Sequence, residues 1–220
     1  MSDFTYENKE SKSVYETYEW DNTWIEHAND TMSKRVLYIG DSISCGVRRI
    51  ATEVTKEEIM FDGFGTSKGI DNPYLVDSIK LFASQEPKQD VVLFNNGLHG
   101  WHLDDDTEYR EHFETVIKAL IDNFKETPVM VVLTTYIANK DRNNRVIARN
   151  KAAVEVAKKY GVPVIDLYAE AEKYQKFLKS DGVHFLKRGY VKLAKKIVSE
   201  VKNQIQYYYG GKNEGINYST

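Results

Sequence analysis

The chain holds a single cysteine, Cys45, among 220 residues. No disulfide can close within it, and metal centres built from several thiolates are excluded. Histidine is scarce as well, with five in all, and none stands with the carboxylates that would complete a metal site, so no metal is expected. No apolar run is long enough to cross a bilayer. The first residues, Met1-Ser2-Asp3-Phe4-Thr5, lack the basic stretch and apolar core of a secretory leader. As written the sequence reads as cytoplasmic; trimmed from a longer precursor, it would read as secreted. Neither charge sign dominates: 30 Lys and Arg against 33 Asp and Glu leave a formal charge of -3. A basic surface able to draw in nucleic acid or anionic membrane is therefore not expected. Both glycine-rich phosphate signatures, Gly-x-x-x-x-Gly-Lys-Ser/Thr and Gly-x-Gly-x-x-Gly, are missing, and no cofactor is expected.

What is present suits one α/β domain, since 41% of the residues are hydrophobic and the length is too short for two typical domains. Short apolar runs at 36–39, 59–61, 90–97 and 128–134 read as strands, and 161–166 reads as a helix stop followed by the last strand. Between them lie stretches with helical spacing: 47–54, about 73–84 (Leu75, Ile79 and Phe82 inward), 108–124 (Tyr109, Phe113, Val116, Ile117, Leu120), 146–160 (Ile147, Val154 and Ala157 inward, with Asn150 on that face), 169–178, and from Gly189 onward. Strands alternating with helices predict a parallel sheet covered on both faces, a three-layer α/β/α sandwich of five parallel strands. Residues 1–33 form a polar, aromatic arm (Tyr15, Tyr18, Trp20, Trp24), residues 34–209 the domain, and the Gly- and Asn-rich stretch 210–220 a disordered tail. The arm either packs its aromatics on the domain surface or walls a substrate cleft.

Two stretches carry chemistry. The run Val36-Leu37-Tyr38-Ile39-Gly40-Asp41-Ser42 ends a strand in a polar turn, at the carboxyl edge where parallel sheets bind ligands. Near the other end stands Asp181-Gly182-Val183-His184. A serine hydroxyl needs a base, and an imidazole held in one tautomer by a carboxylate is the usual one. Asp166, at the end of the last strand, is a rival to Asp181 for that role. Cys45 reads as a small buried residue at a helix start rather than a reactive thiol.

Together, Gly-Asp-Ser after the first strand and Asp-x-x-His before the last helix resemble the SGNH (GDSL-type) hydrolase family. The resemblance covers about residues 35–205 and implies a flavodoxin-like strand order. It implies Ser42 as nucleophile, His184 as base and Asp181 as its partner. It also implies an oxyanion hole from the N–H groups of Ser42 and Gly65, with Gly69 in reserve, because 62–69 reads as a glycine-rich loop. One block departs from the family pattern, Gly-x-Asn-Asp: here Gly97-Leu98-His99-Gly100 puts His99 where the oxyanion asparagine should stand. Either His99 supplies the donor, or Asn95 or Asn96 reaches in from the strand end. Asp41, Trp101 and His102 are the candidate substrate-binding residues.

The expected function is hydrolysis of carboxylic esters, with an acetylated carbohydrate as the expected substrate. A lipase or lysophospholipase, or a binding module that kept the fold and lost turnover, are the alternatives.

Overall fold

A computed structural model describes residues 13–214 of the chain. The strands are β1 (Asp21–Trp24), β2 (Lys34–Gly40), β3 (Ile59–Thr66), β4 (Val91–Phe94), β5 (Val129–Val132) and β6 (Val164–Ile165). The helices are α1 (Ser42–Val54), α2 (Leu75–Ala83), α3 (Asp106–Asn123), α4 (Lys140–Lys159), α5 (Leu167–Glu172) and α6 (Lys187–Glu214), with a 3₁₀ turn at Gln175–Phe177. The strands form one sheet in the order β1-β3-β2-β4-β5-β6. From β3 to β6 they are parallel, in the expected flavodoxin-like order. The sixth strand is new: β1, from the arm, adds antiparallel to the outer edge of β3.

Burial on both faces explains the continuous apolar runs. Along β2, Val36 and Tyr38 pack against α1 and α6, while Leu37 and Ile39 pack into the opposite core with α2 and α3. Each such side chain contributes roughly 1.5–3 kcal/mol by leaving water. The closing helix buries Tyr190, Leu193, Ala194, Ile197 and Val201 at helical spacing, as expected.

Three expectations need correction. The glycine-rich segment is not a loop up to Thr66, because β3 runs through Gly63 and Gly65 with every residue buried. Helix α4 starts at Lys140 and not at 146, capped by Asn139, whose side chain accepts from the Arg142 N–H. Its buried stripe is Asn143, Val146, Arg149, Asn150, Ala153 and Val156, whereas Ile147 and Val154 are exposed. Ala157 and Asn150 are buried as expected, but Ile147 and Val154 fall off the inner face because polar residues with fixed partners occupy much of it. Of the expected tail, 210–214 continue α6; residues 215–220 lie outside the described residues, as do 1–12 of the arm.

Candidate active site

Strand β2 delivers the chain to the middle of the sheet's carboxyl edge. Asp41 caps α1, its Oδ1 accepting the Ile43 N–H at 2.8 Å, and Ser42 is the first helical residue. At that position the serine N–H has no partner one turn back. On the far side, the segment between the 3₁₀ turn and α6 is pinned as a narrow loop. Leu178 bridges Phe185, the Lys179 N–H donates to the His184 carbonyl at 2.7 Å, and the Leu186 N–H to the Phe177 carbonyl at 2.7 Å. The loop turns at Gly182, whose φ of 72° is open to glycine at little cost and whose absent Cβ leaves room for Ala138.

That turn aims Asp181 and His184 at Ser42. Asp181 Oδ1 accepts the N–H groups of Val183 and His184, both at 2.8 Å, and Oδ2 lies 3.0 Å from His184 Nδ1. His184 Nε2 lies 2.8 Å from Ser42 Oγ. With Nδ1–H donating to the carboxylate, Nε2 keeps a lone pair for the serine proton. Partial burial pushes the Asp181 carboxyl up, but the two N–H donors and the His184 ring outweigh it and hold the group below its ordinary value. Asp166, the rival, is the N-cap of α5, its Oδ1 accepting the Ala169 N–H at 2.9 Å.

Beyond β4, residues 97–103 form the opposite rim. Arg149, 2% exposed, reaches under this loop and donates to the carbonyls of Gly97 (3.1 Å), His99 (2.7 Å), Gly100 (2.6 Å) and Leu103 (3.3 Å). Burial pulls its pKa down to about 10, so it keeps its charge at neutral pH. Arg145 adds hydrogen bonds to the carbonyls of Trp101 and Leu103. The arm closes over the same loop. Glu16 Oε1 lies 3.3 Å from both His99 Nδ1 and the Gly100 nitrogen, and the Trp20 ring meets the His99 ring edge-on, centroids 5.9 Å apart.

No protein-family model and no curated protein matches the sequence. Solved structures do. A lipase/acylhydrolase from Enterococcus faecalis shares 23% identity, with a TM-score of 0.63 over 78% of this chain and 96% of its own. An acetyl xylan esterase, AlAXEase, shares 20% identity, with a TM-score of 0.60 over 76% and 99%. A member of the lipolytic G-D-S-L family from Veillonella parvula shares 18% identity, with a TM-score of 0.62 over 76% and 97%.

The chain has the SGNH (GDSL-type) hydrolase fold.

Within this SGNH fold the remaining candidates fare differently. Gly65 pairs with Gly40 on one side and Asn22 on the other, which ties its backbone into the sheet and away from an open loop. Its lack of a side chain serves packing, since a Cβ there would come within 2.2 Å of Cys45 Sγ. Gly69, by contrast, lies beyond the end of β3, against Gly100. The Asn95 amide donates to the Val132 carbonyl (2.8 Å) and Thr134 Oγ1 (3.0 Å), and the Asn96 amide to the Lys68 carbonyl (2.9 Å). The Asn95 amide thus spends both of its N–H groups on holding the rim, and the Asn96 amide spends one. His99 alone of the three side chains keeps a nitrogen, Nε2, with no hydrogen bond among the described residues.

Asp41, expected to bind substrate, is 2% exposed and serves as a helix cap. Burial pushes its carboxyl up, drawn back first by His99, then by the Ile43 N–H and His184. Trp101 lies between 4.7 and 5.2 Å from the guanidinium carbons of Arg142, Arg145 and Arg149. His102 Nε2 is paired with Asp71 Oδ2 at 2.6 Å. Among the described residues no group of three or more His, Cys, Asp or Glu side chains is placed to hold a metal, and no helix is long and apolar enough to cross a membrane. A groove of about 350 Å³ between β1 and α2, lined by Trp24, Phe64, Leu81 and Phe82 among others, contains none of Ser42, Asp181 and His184.

Sequence reasoning passed over Glu16, Asp71 and Arg149. The first two left no signal in the residue pattern. Arg149 left one: it falls three residues after the buried Val146 and one before Asn150, on the inner stripe of α4.

Proposed function

We propose that the protein is a serine hydrolase of carboxylic esters, working through Ser42, His184 and Asp181. The observation that carries the reading is the hydrogen-bonded line from Asp181 Oδ2 to His184 (3.0 Å) to Ser42 Oγ (2.8 Å) at the carboxyl edge of the sheet. Ser42 Oγ attacks the ester carbonyl while His184 Nε2 takes its proton, and Asp181 stabilises the imidazolium. The oxyanion is met by the Ser42 N–H, the Gly69 N–H in place of Gly65, and the His99 ring. His184 then returns its proton to the leaving alcohol, and water frees the acid from the acyl-enzyme by the reverse sequence.

The substrate we propose is a short acyl ester, an acetyl group on a carbohydrate. Likeness to an acetyl xylan esterase supports it, as does Trp20, half-buried at the rim, since an aromatic face suits a sugar ring. The test is hydrolysis of p-nitrophenyl esters of increasing chain length by wild type and Ser42→Ala, followed by acetylated xylan. Acetate-preferring turnover that vanishes in Ser42→Ala supports the proposal. Turnover that survives the substitution sinks the mechanism, and a preference for long chains replaces the acetyl reading with a lipase.

A further inference from the structure

The loop that carries Asp181 and His184 meets Ser42 from an open position, with Asp181 exposed and His184 partly so. Its own hydrogen bonds give it a shape. The Lys179 N–H donates to the His184 carbonyl, the Gly182 N–H to the Lys179 carbonyl, and the Val183 and His184 N–H groups to Asp181. Buried Phe185 roots its base in the core. Among the described residues, the tip at 179–184 has one hydrogen bond to another segment besides the His184–Ser42 contact: the Ala138 N–H donates to the Gly182 carbonyl at 2.8 Å. Ala138 can approach so closely because Gly182 has no Cβ, which would stand 2.9 Å from that of Ala138. This tie falls between Asp181 and His184 in the chain.

Ala138 is held in turn by its two neighbours. Buried Ile137 donates its N–H to Asn143 Oδ1 at 3.1 Å. Asn139 is fixed as the cap of α4, its Oδ1 on the Arg142 N–H (3.0 Å) and its carbonyl on the Asn143 N–H (2.8 Å). Asn143 therefore grips the 137–139 turn through both its side chain and its backbone. From α5, the Tyr168 hydroxyl accepts from Asn143 Nδ2 at 2.8 Å, which sets the amide so that its oxygen faces Ile137.

We propose that Asn143 is a positioning residue for the Asp181–His184 pair: it fixes residues 137–139, and the Ala138 N–H then holds the loop tip where His184 Nε2 reaches Ser42 Oγ. This rests on the ester-hydrolase reading. Asn143 bonds to none of Ser42, His184 and Asp181, so its effect passes through the backbone of Ile137 and Ala138.

Turnover of p-nitrophenyl acetate and labelling of Ser42 by a fluorophosphonate test it together. Asn143→Ala should lower kcat about tenfold and leave KM within about twofold, because what drifts is the base. Asn143→Asp still accepts the Ile137 N–H and can accept the Tyr168 hydroxyl proton, so it should restore kcat to within about threefold of wild type. The labelling rate should also fall about tenfold for Asn143→Ala in the wild-type background. In an Asp181→Ala background, where the ring has already lost its tether, the same change should cost less than about threefold. A tenfold loss in both backgrounds marks Asn143 as structural and overturns the proposal, as does an unchanged kcat or a loss confined to KM. If Asn143→Ala fails to fold, Tyr168→Phe carries the same cycle, with a smaller loss that vanishes in Asp181→Ala; no loss in either background overturns the proposal. Wild type that neither turns over ester nor takes label, or Ser42→Ala that does either, overturns the ester-hydrolase reading itself and the proposal with it.

Discussion

The Asn150 amide spans the backbone of Thr134, its Oδ1 accepting the Thr134 N–H at 2.8 Å and its Nδ2 donating to the Thr134 carbonyl at 2.9 Å. It does for the end of β5 what a further strand would do, and from a helix. Asn150→Ala leaves both backbone groups buried without partners and should cost about 2–3 kcal/mol. Urea unfolding of the variant measures it, and a cost below about 1 kcal/mol would mean water reaches the strand end.

Arg149 should prove irreplaceable by lysine. A guanidinium can fork to several carbonyls at once, whereas an ammonium is a point charge on a flexible stem. Arg149→Lys should lower kcat on p-nitrophenyl acetate about tenfold by letting the 97–103 rim drift. Unchanged kcat would show that the rim holds without the fork.

Gly65 and Cys45 should behave as a pair. Gly65→Ala drives a methyl toward Cys45 Sγ, and overpacking of this kind costs about 1–3 kcal/mol. Cys45→Ala removes the sulfur, so the double variant should recover most of that loss. Additive losses in thermal melts would locate the strain elsewhere.

Glu86 should set a slope in stability against pH. Burial first, and then the Asp62 charge, raise its pKa from 4.5 to about 9, with Arg35 opposing. The folded protein therefore keeps this proton up to about pH 9, while the unfolded chain gives it up near 4.5. Between those values the unfolded state binds fewer protons, and rising pH favours unfolding. Melting temperatures of Glu86→Gln should fall less across this window than those of wild type. Parallel curves would show that Glu86 is solvated.

The parts of the fold legible in the sequence were those where hydrophobicity and periodicity agree. β2, β4 and β5 are buried on both faces, and α3 and α6 present single apolar stripes, so each announces itself. The meeting of Ser42 with Asp181 and His184 was legible through the resemblance of Gly-Asp-Ser and Asp-x-x-His to the SGNH motifs, whereas position in the chain alone left Asp166 as a rival to Asp181. β1 was not legible: Asp21, Asn22, Thr23 and Trp24 are all exposed, and the strand exists because β3 offers an edge to pair with. The early start of α4 was hidden for a related reason, since Lys140–Asn144 is polar where it faces water and polar again at the buried Asn143, which donates to Tyr168. Arg149 belongs to the same class. Its value lies in a set of carbonyls that no local pattern reveals.

The pairing of β1 with β3 also bears on where this polypeptide can be cut. Trp20 and Ser67 exchange hydrogen bonds at the start of that pairing, the Trp20 N–H donating to Ser67 Oγ at 2.8 Å and the Ser67 N–H to the Trp20 carbonyl at 3.0 Å. A chain begun at residue 34 would leave β3 as a bare, glycine-bearing sheet margin, free to pair edge to edge with the same margin of a neighbouring molecule. Loss of the arm would then register first as self-association, before any catalytic assay could be read.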